Sequence, residues 1–384
     1  MPKNQEAKKP AARIRDHFVT LTDPRRRKTT VTYPLINIIT IALCAVICGA
    51  DDFVAIANFG RKKREWLSKF LDLSSGIPSH DRFNAILGAI KPAEFEACLL
   101  SWITDLYEIT AGQVVAIDGK TLRRSYDKAS SKSAIHMVRA WATTNQISLG
   151  QVVVDEKSNE ITAIPKLLEM LEISGCLVTI DAMGCQVKIA RTIVEKKADY
   201  ILAVKDNQPT LAEGIAAFFA DHAEDDFARV KARRCVTEDK KQKHGRRERR
   251  EHVICRVPDD LPDRARWPKL AAIGMVFSCI YRDGKERMEC RYYILSKYLS
   301  AGKFAQAVRQ HWSIENQLHW QLDVSFQEDQ CRVRLGHADA NFSILRRTAL
   351  SLLKNHHGLK VGVKNKRLAA GWDDSYLEQV LFKQ

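Results

Sequence analysis

The chain has 384 residues, 45% hydrophobic and 28% charged, which is enough apolar material for two or three cored domains without disulfide or metal staples. A formal charge of +15 at pH 7 and a pI near 9.3 favour polyanionic partners, nucleic acid first, through phosphate contacts that weaken with salt. Ten cysteines scattered from Cys44 to Cys331, with no C-x-x-C pair, argue against a zinc ribbon or a disulfide framework and fit a reducing cytoplasm.

The polar start, Met1 to Pro10, lacks the apolar core of a signal peptide. Leu35–Ala50 is the one long apolar stretch, but Asn37 and Thr40 interrupt it and Asp51 and Asp52 close it. Its length favours a buried helix over a membrane span, so no membrane partner is expected. Helical periodicity near 3.6 continues through Phe53–Leu71 and Arg82–Leu106, broken at Ser74–Ser79, with Ser79 as N-cap and Asp81 at the positive helix end. With the basic cluster Arg61-Lys62-Lys63-Arg64, residues 1–110 read as a helical N-terminal domain, either DNA-holding or purely structural.

Strands are predicted at Val114–Lys120, Ala134–Thr143 and Ile147–Asp155, short and β-branched. Alternation follows: helix Glu160–Leu171, strand Leu177–Asp181, helix Cys185–Lys197, strand Tyr200–Lys205. Three consecutive strands and then alternation predict an α/β fold with a mixed sheet, the order of a ribonuclease-H-like catalytic core, whose first part spans 111–206.

After a helix at Leu211–Ala220 the chain becomes strongly basic from Arg229 to Arg250, either a disordered arm or a phosphate-tracking face. Two strand-like runs, Ala271–Tyr281 and Arg287–Leu295, are joined at Asp283-Gly284, a hairpin signal. Residues 207–300 therefore read as a basic, β-rich insertion. Helical periodicity resumes at Lys303 and runs to about Leu353, within a second part of the core and a helical C-terminal region, 301–384.

Asp118 and Asp181 each end an apolar β-branched run, and Glu315 follows in Trp312-Ser313-Ile314-Glu315-Asn316. A carboxylate where a buried strand meets solvent is costly unless a cation neutralises it. Two on neighbouring strands could share a pair of Mg2+ ions, with Mn2+ as a substitute, and two such ions can drive in-line displacement at phosphorus. Taken singly, each aspartate is more often a turn residue. His311, Glu315 and His319 recur every four residues, so zinc ligation is considered. Positions eight apart rise about 12 Å along a straight helix, too far for one ion. DNA contact or water orientation is expected of the histidines, and either packing or base stacking of Trp312 and Trp320.

At these residues the sequence resembles the DDE transposases of bacterial insertion sequences, in the ISAs-type branch that includes the H-repeat-associated proteins. The resemblance covers nearly the whole chain, through Asp23-Pro24-Arg25-Arg26, Gly76-Ile77-Pro78-Ser79-His80-Asp81, Ala116-Ile117-Asp118-Gly119-Lys120, Lys157-Ser158-Asn159-Glu160-Ile161, Thr179-Ile180-Asp181-Ala182-Met183-Gly184, His244-Gly245-Arg246 and His311-Trp312-Ser313-Ile314-Glu315-Asn316.

It implies a ribonuclease-H-like domain with Asp118, Asp181 and Glu315 as a metal-binding acidic triad, magnesium-dependent transposition, and a homodimer on paired DNA ends. Related transposases carry a tyrosine, an arginine and a lysine around the third acid. Here Val308, His311 and Leu322 stand at those places, leaving Arg309 as a candidate substitute and Asp323 as second choice for the third ligand.

Contacts to double-stranded DNA, both terminal inverted repeats and target, are expected from Lys120, Arg123, Arg124, Lys205, Lys240, Lys241, Lys243, His244, Arg246, Arg247, Arg249, Arg250, Arg309, His311, Trp312 and His319. The competing readings are a structure-selective nuclease on the same fold and an inactive DNA-binding remnant.

Overall fold

The structure, a computed structural model, describes residues 10–25, 31–107, 112–122, 134–154, 159–238, 246–282 and 285–382. The N-terminal helices are α1 (Pro10–His17), α2 (Leu35–Ile47), α3 (Phe53–Lys62), α4 (Arg64–Leu67), α5 (His80–Ala89) and α6 (Pro92–Leu106). From Asn37 to Ile47 every residue of α2 is buried, as expected of a helix apolar on all sides. Asn37 is tolerated there because its side-chain amide donates to the carbonyl of Asp72 (2.6 Å). Ser79 caps α5 by accepting from the Arg82 amide.

Among the described residues the sheet has nine strands: β1 (Val114–Thr121), β2 (His136–Ala142), β3 (Ile147–Val153), β4 (Leu177–Ile180), β5 (Asp199–Val204), β6 (Arg233–Glu238), β7 (Arg246–Arg256), β8 (Ala272–Arg282) and β9 (Lys285–Leu295). Their spatial order is β3-β2-β1-β4-β5-β9-β8-β7-β6. β1, β4 and β5 are parallel, and every other pairing is antiparallel. Helices α7 (Glu160–Met170), α8 (Val187–Glu195) and α9 (Pro209–Ala223) connect the strands as the alternating pattern predicts, in a mixed α/β, ribonuclease-H-like core.

The region expected as an insertion continues this sheet, because β9 pairs with β5 through Ile201↔Leu295 to Val204↔Tyr292. Much of the basic run is itself strand. β7 lies between β6 and β8, and the charge-based reading missed it because inward Glu248 and His252 alternate with outward Arg247 and Arg249. Arg282 pairs with Lys285 as hairpin chemistry requires, while Asp283 and Gly284 lie outside the described residues.

The helical stretch predicted from Lys303 to Leu353 is divided. It comprises α10 (Ala301–Ile314), a π-helical turn (Glu315–His319), α11 (Trp320–Ser325), a short 3-10 turn (Glu328–Gln330) and α12 (Ala338–Asn355). Gln327 (φ 50°) and Gly336 (φ 54°) adopt left-handed conformations that interrupt the helical path. Helix α12 packs against α2, α5 and α6 on one side and β3 on the other, joining the helical module to the sheet. Two further helices, α13 (Val363–Trp372) and α14 (Asp374–Phe382), complete that module.

Inside the seam lies a polar network. Arg139 of β2 donates to both oxygens of Glu328 (2.9 Å each) and to Ser343 of α12, with both charged side chains fully buried. Arg347 is likewise paired with Glu96 of α6 and bonded to Ser148 of β3 (2.6 Å). Buried charges persist only when paired in this way.

Candidate active site

Parallel pairing of β1 with β4 ends with Ile117 opposite Ile180, so Asp118, inside β1, and Asp181, directly after β4, stand at the same level on neighbouring strands. β1 is fully buried from Val114 to Ile117, half-buried from Asp118 to Lys120 and exposed at Thr121. Asp118 accepts from the amide of Gly119 (2.9 Å) and Asp181 from that of Gly184 (3.3 Å). Neither carboxylate is ion-paired with a lysine or arginine among the described residues.

Burial pushes the Asp118 carboxyl up to about 7, helped by the negative charges of Asp181, Glu160 and Glu315 and opposed by the Gly119 amide. Burial also raises Asp181, with Glu160 adding to it and the Gly184 and Met183 amides and Lys205 opposing. Beside Asp118 stands His319, its Nδ1 3.5 Å from Oδ2. Burial holds His319 well below its ordinary value, so it is a neutral neighbour and no counterion.

Helix α10 brings the third acid. It crosses β1 and β4, and His311 shares a hydrogen bond with the hydroxyl of Thr179, two residues before Asp181 (3.1 Å). Glu315 follows one turn later as the first residue of the π turn, exposed, with its charge felt at Asp118. The added residue in a π turn shifts the helical phase, and such turns concentrate at functional sites. The common face read for His311, Glu315 and His319 is thereby split. Both histidines are buried at 8% and 7% relative exposure, facing the sheet and Asp118 and not an open DNA surface, while Glu315 points outward.

Other expected DNA contacts separate into groups. Lys120 is engaged internally, donating to Asp323 (2.6 Å) with Asp329 at 3.6 Å, which ties up both this lysine and the second-choice acid. Lys205 and Arg309 are exposed. Arg250 pairs with Glu248 (2.6 Å), Arg247 with Glu238 (2.9 Å), and Arg249 lies 4.0 Å from Glu251. Arg123, Arg124, Lys240, Lys241, Lys243 and His244 lie outside the described residues, as does the side chain of Arg246.

Trp312, 40% exposed, lines two cavities. One, of about 120 Å³, is shared with Asp181 and Lys205. The other, of about 810 Å³, lies between α10 and the inner face of β7–β9 and holds Arg250, Arg309 and Glu315. Sequence reasoning passed over Arg291, which lines both cavities and stacks its guanidinium 4.7 Å over the Trp312 ring. It also passed over Glu160, whose charge acts on both aspartates. The alternation of β9 pointed to Arg291, and the Asn159-Glu160 helix start pointed to Glu160.

Two half-buried carboxylates whose ionisation burial opposes, with a neutral imidazole 3.5 Å from Asp118 and no ion pair to a lysine or arginine among the described residues, form a donor set suited to a hard divalent cation. Among the described residues no three His, Cys, Asp or Glu side chains converge as a ready-made ligand group, so Glu315 stands beside the aspartate pair and is not joined to it.

A ribonuclease-H-like sheet with acids at one level on adjacent central strands defines the class, an enzyme acting on nucleic-acid phosphodiesters. The comparisons with known proteins agree. Residues 110–352 match the family described as "Transposase DDE domain", and residues 15–103 match the "DDE_Tnp_1-associated" family. The "H repeat-associated putative transposase YhhI" of Escherichia coli (strain K12) is 39% identical over 378 residues, covering 96% of this chain and 97% of that protein. The "Putative transposase YncI" of Escherichia coli O157:H7 is 40% identical over 370 residues, covering 95% and 93%. A solved piggyBac transposase synaptic complex with hairpin DNA aligns with TM-score 0.41 and 12% identity over 97% of this chain and 77% of that one, too low to bear on the site.

The chain belongs to the DDE transposase family. It is an enzyme of the DDE transposase type, the family depends on divalent metal, and DNA is its partner. No helix among the described residues is long and apolar enough to cross a membrane.

Proposed function

We propose that this transposase serves a bacterial insertion sequence, cutting at the element's ends and joining the freed 3′-hydroxyl to target DNA, with Asp118, Asp181 and Glu315 as its acidic triad. The observation that supports this most is the placing of Asp118 and Asp181 at one level, just beyond the parallel pairing of β1 with β4, half-buried and with no ion pair to a lysine or arginine among the described residues. The cations are two Mg2+ ions, replaceable by Mn2+, and when bound they supply activation of the attacking oxygen and charge neutralisation at the leaving one.

The chain's own residues do the rest. Asp118 and Asp181 hold the site from the rigid centre of the sheet. Glu315, in the cavity shared with Arg250 and Arg309, would be the third donor to the cations. Lys205, beside Asp181, offsets phosphate charge, and the arginines of the cavity wall position the strand without reading its bases. The partners are the terminal inverted repeats and target DNA, bound by a homodimer in the cytoplasm, on the nucleoid when engaged.

The test incubates purified protein with labelled element ends, target plasmid and Mg2+, beside Asp118→Ala, Asp181→Ala and Glu315→Ala. Each substitution is expected to abolish cleavage and leave end binding nearly intact. Cutting without joining would convert the assignment to a nuclease, and binding without cutting to an inactive remnant. Cleavage retained in Glu315→Ala but lost in Asp323→Ala would overturn the third acid.

A further inference from the structure

Arg233 opens β6 and Arg256 closes β7, and both guanidiniums lie over the ring of Tyr298, in the connection from β9 to α10, at 4.0 and 4.9 Å from its centroid. The ring is fixed at both ends. Its hydroxyl donates to the carbonyl of Lys231 (3.0 Å), and its body, with Leu299, packs against the apolar cluster that contains Ala301 and Phe304 of α10. Arg233 also donates to the carbonyl of Leu299 (2.9 Å). Both arginines are exposed, and no ion pair among the described residues engages either of them.

At an exposed site an arginine stacked on a tyrosine is worth only about 0.5–1 kcal/mol, too little to explain two like charges gathered on one ring. The acids near them in sequence are engaged elsewhere: Asp226 and Glu251 hold Arg234, and Asp259 holds Arg264. Lys231 and Lys303, the latter in the first turn of α10, are exposed as well, so the surroundings add positive charge. At the other end of β7, by contrast, Arg247, Arg249 and Arg250 stand beside Glu238, Glu251 and Glu248. Guanidiniums already held in place lose less freedom on meeting a phosphate than free side chains do, and their planar fork matches its oxygens.

We infer that Arg233 and Arg256, held on Tyr298, form a contact surface for the backbone phosphates of duplex DNA. This rests on DNA as the partner and not on the acidic triad. Helix α10 starts beside the surface and ends at Glu315, which sets the two apart by about 20 Å along the helix, roughly six base pairs of duplex. Phosphate contacts fix register and carry no sequence, so element ends and target DNA are held alike.

The test measures binding of the full chain to a labelled element-end duplex and to an unrelated duplex of equal length by fluorescence anisotropy across salt. It compares wild type, Arg233→Gln, Arg256→Gln, the double variant and Tyr298→Leu, with thermal unfolding of each. Loss of each arginine is expected to lower the salt slope by about one, and loss of both by about two, with affinity in the double variant roughly tenfold weaker on both duplexes at an unchanged melting temperature. Tyr298→Leu should keep the slope and weaken binding, because the charges stay while their fixed placement goes. Wild-type affinity and slope in the double variant would overturn the surface. So would a loss confined to the element end, which would make the arginines readers of sequence, or a loss that tracks a lowered melting temperature, which would make the stack structural. Wild-type affinity in Tyr298→Leu would overturn the holding role of the ring. Should the double variant unfold, Arg256→Gln carries the test, and an unchanged slope there would overturn the inference.

Discussion

His311 of α10 and Thr179 of β4 share a hydrogen bond of 3.1 Å that ties the helix bearing the third acid to the strand bearing the second. Glu315 lies four residues beyond one partner and Asp181 two beyond the other. Burial pushes His311 down to about 4, so the ring is neutral and the bond is between uncharged groups.

Thr179→Val should therefore leave a buried imidazole nitrogen unpartnered, costing about 1–3 kcal/mol of stability. If the bond also sets the height of Glu315, turnover should fall while end binding stays unchanged. Denaturant unfolding and single-turnover cleavage measure the two effects separately.

The depressed His311 value has a direction. The unfolded chain takes up a proton near the ordinary 6.5 while the folded one resists until about 4, so this contribution is present above pH 6.5 and lost as pH falls toward 4. The loss amounts to about 3 kcal/mol. His311→Phe should flatten that part of the stability profile, as followed by thermal unfolding from pH 7 to pH 4.

Asp118 acts oppositely. Its folded value lies near 7 against an ordinary 3.8, so the folded chain holds a proton that the unfolded chain releases, and metal-free stability falls as pH rises through that interval. Asp118→Asn should stabilise the metal-free protein at pH 8 by about 2–4 kcal/mol and make little difference near pH 3.5. Added divalent metal should reverse the ranking. Melting curves at the two pH values, with and without Mg2+, decide it.

Glu328 and Arg139 provide a stability test away from the acids. Removing one partner of this fully buried pair in Glu328→Ala should cost about 3–5 kcal/mol, because the guanidinium is left uncompensated between β2 and α12. Urea midpoints should show it. A change below about 1 kcal/mol would mean that the pair is not closed in solution.

Arg309 and Arg247 should differ on DNA. Arg309 lines the cavity that holds Glu315, and no ion pair among the described residues engages it, whereas Arg247 is spent on Glu238. Arg309→Ala should lower the salt slope of end binding by about one, and Arg247→Ala by less, in fluorescence-anisotropy titrations across salt.

Local chemistry made much of this molecule legible in its sequence. Apolar β-branched runs ending in Asp118 and Asp181 marked the buried parts of two strands, and the β-α alternation after Ile147 marked the parallel part of the sheet. The Ser79 cap and the all-apolar α2 were equally plain, because caps and burial periodicity depend on neighbours three or four residues away.

Packing between distant segments decided the rest. The run of basic residues near Arg247 carried a strong charge signal that hid a strand, and only pairing with β8 revealed which arginines face α10 and which face away. The helical periodicity around Glu315 predicted one continuous face. In the structure α10 packs on β1 and β4, a π turn begins at Glu315, and the two histidines are buried while the glutamate is exposed. Glu160 sits at a legible helix start, but its charge bears on the aspartates only because α7 packs back against β2 and β3. A sequence records each residue's chemistry and its near neighbours, whereas the meeting of residues tens or hundreds of positions apart is set by the register and packing of the folded sheet.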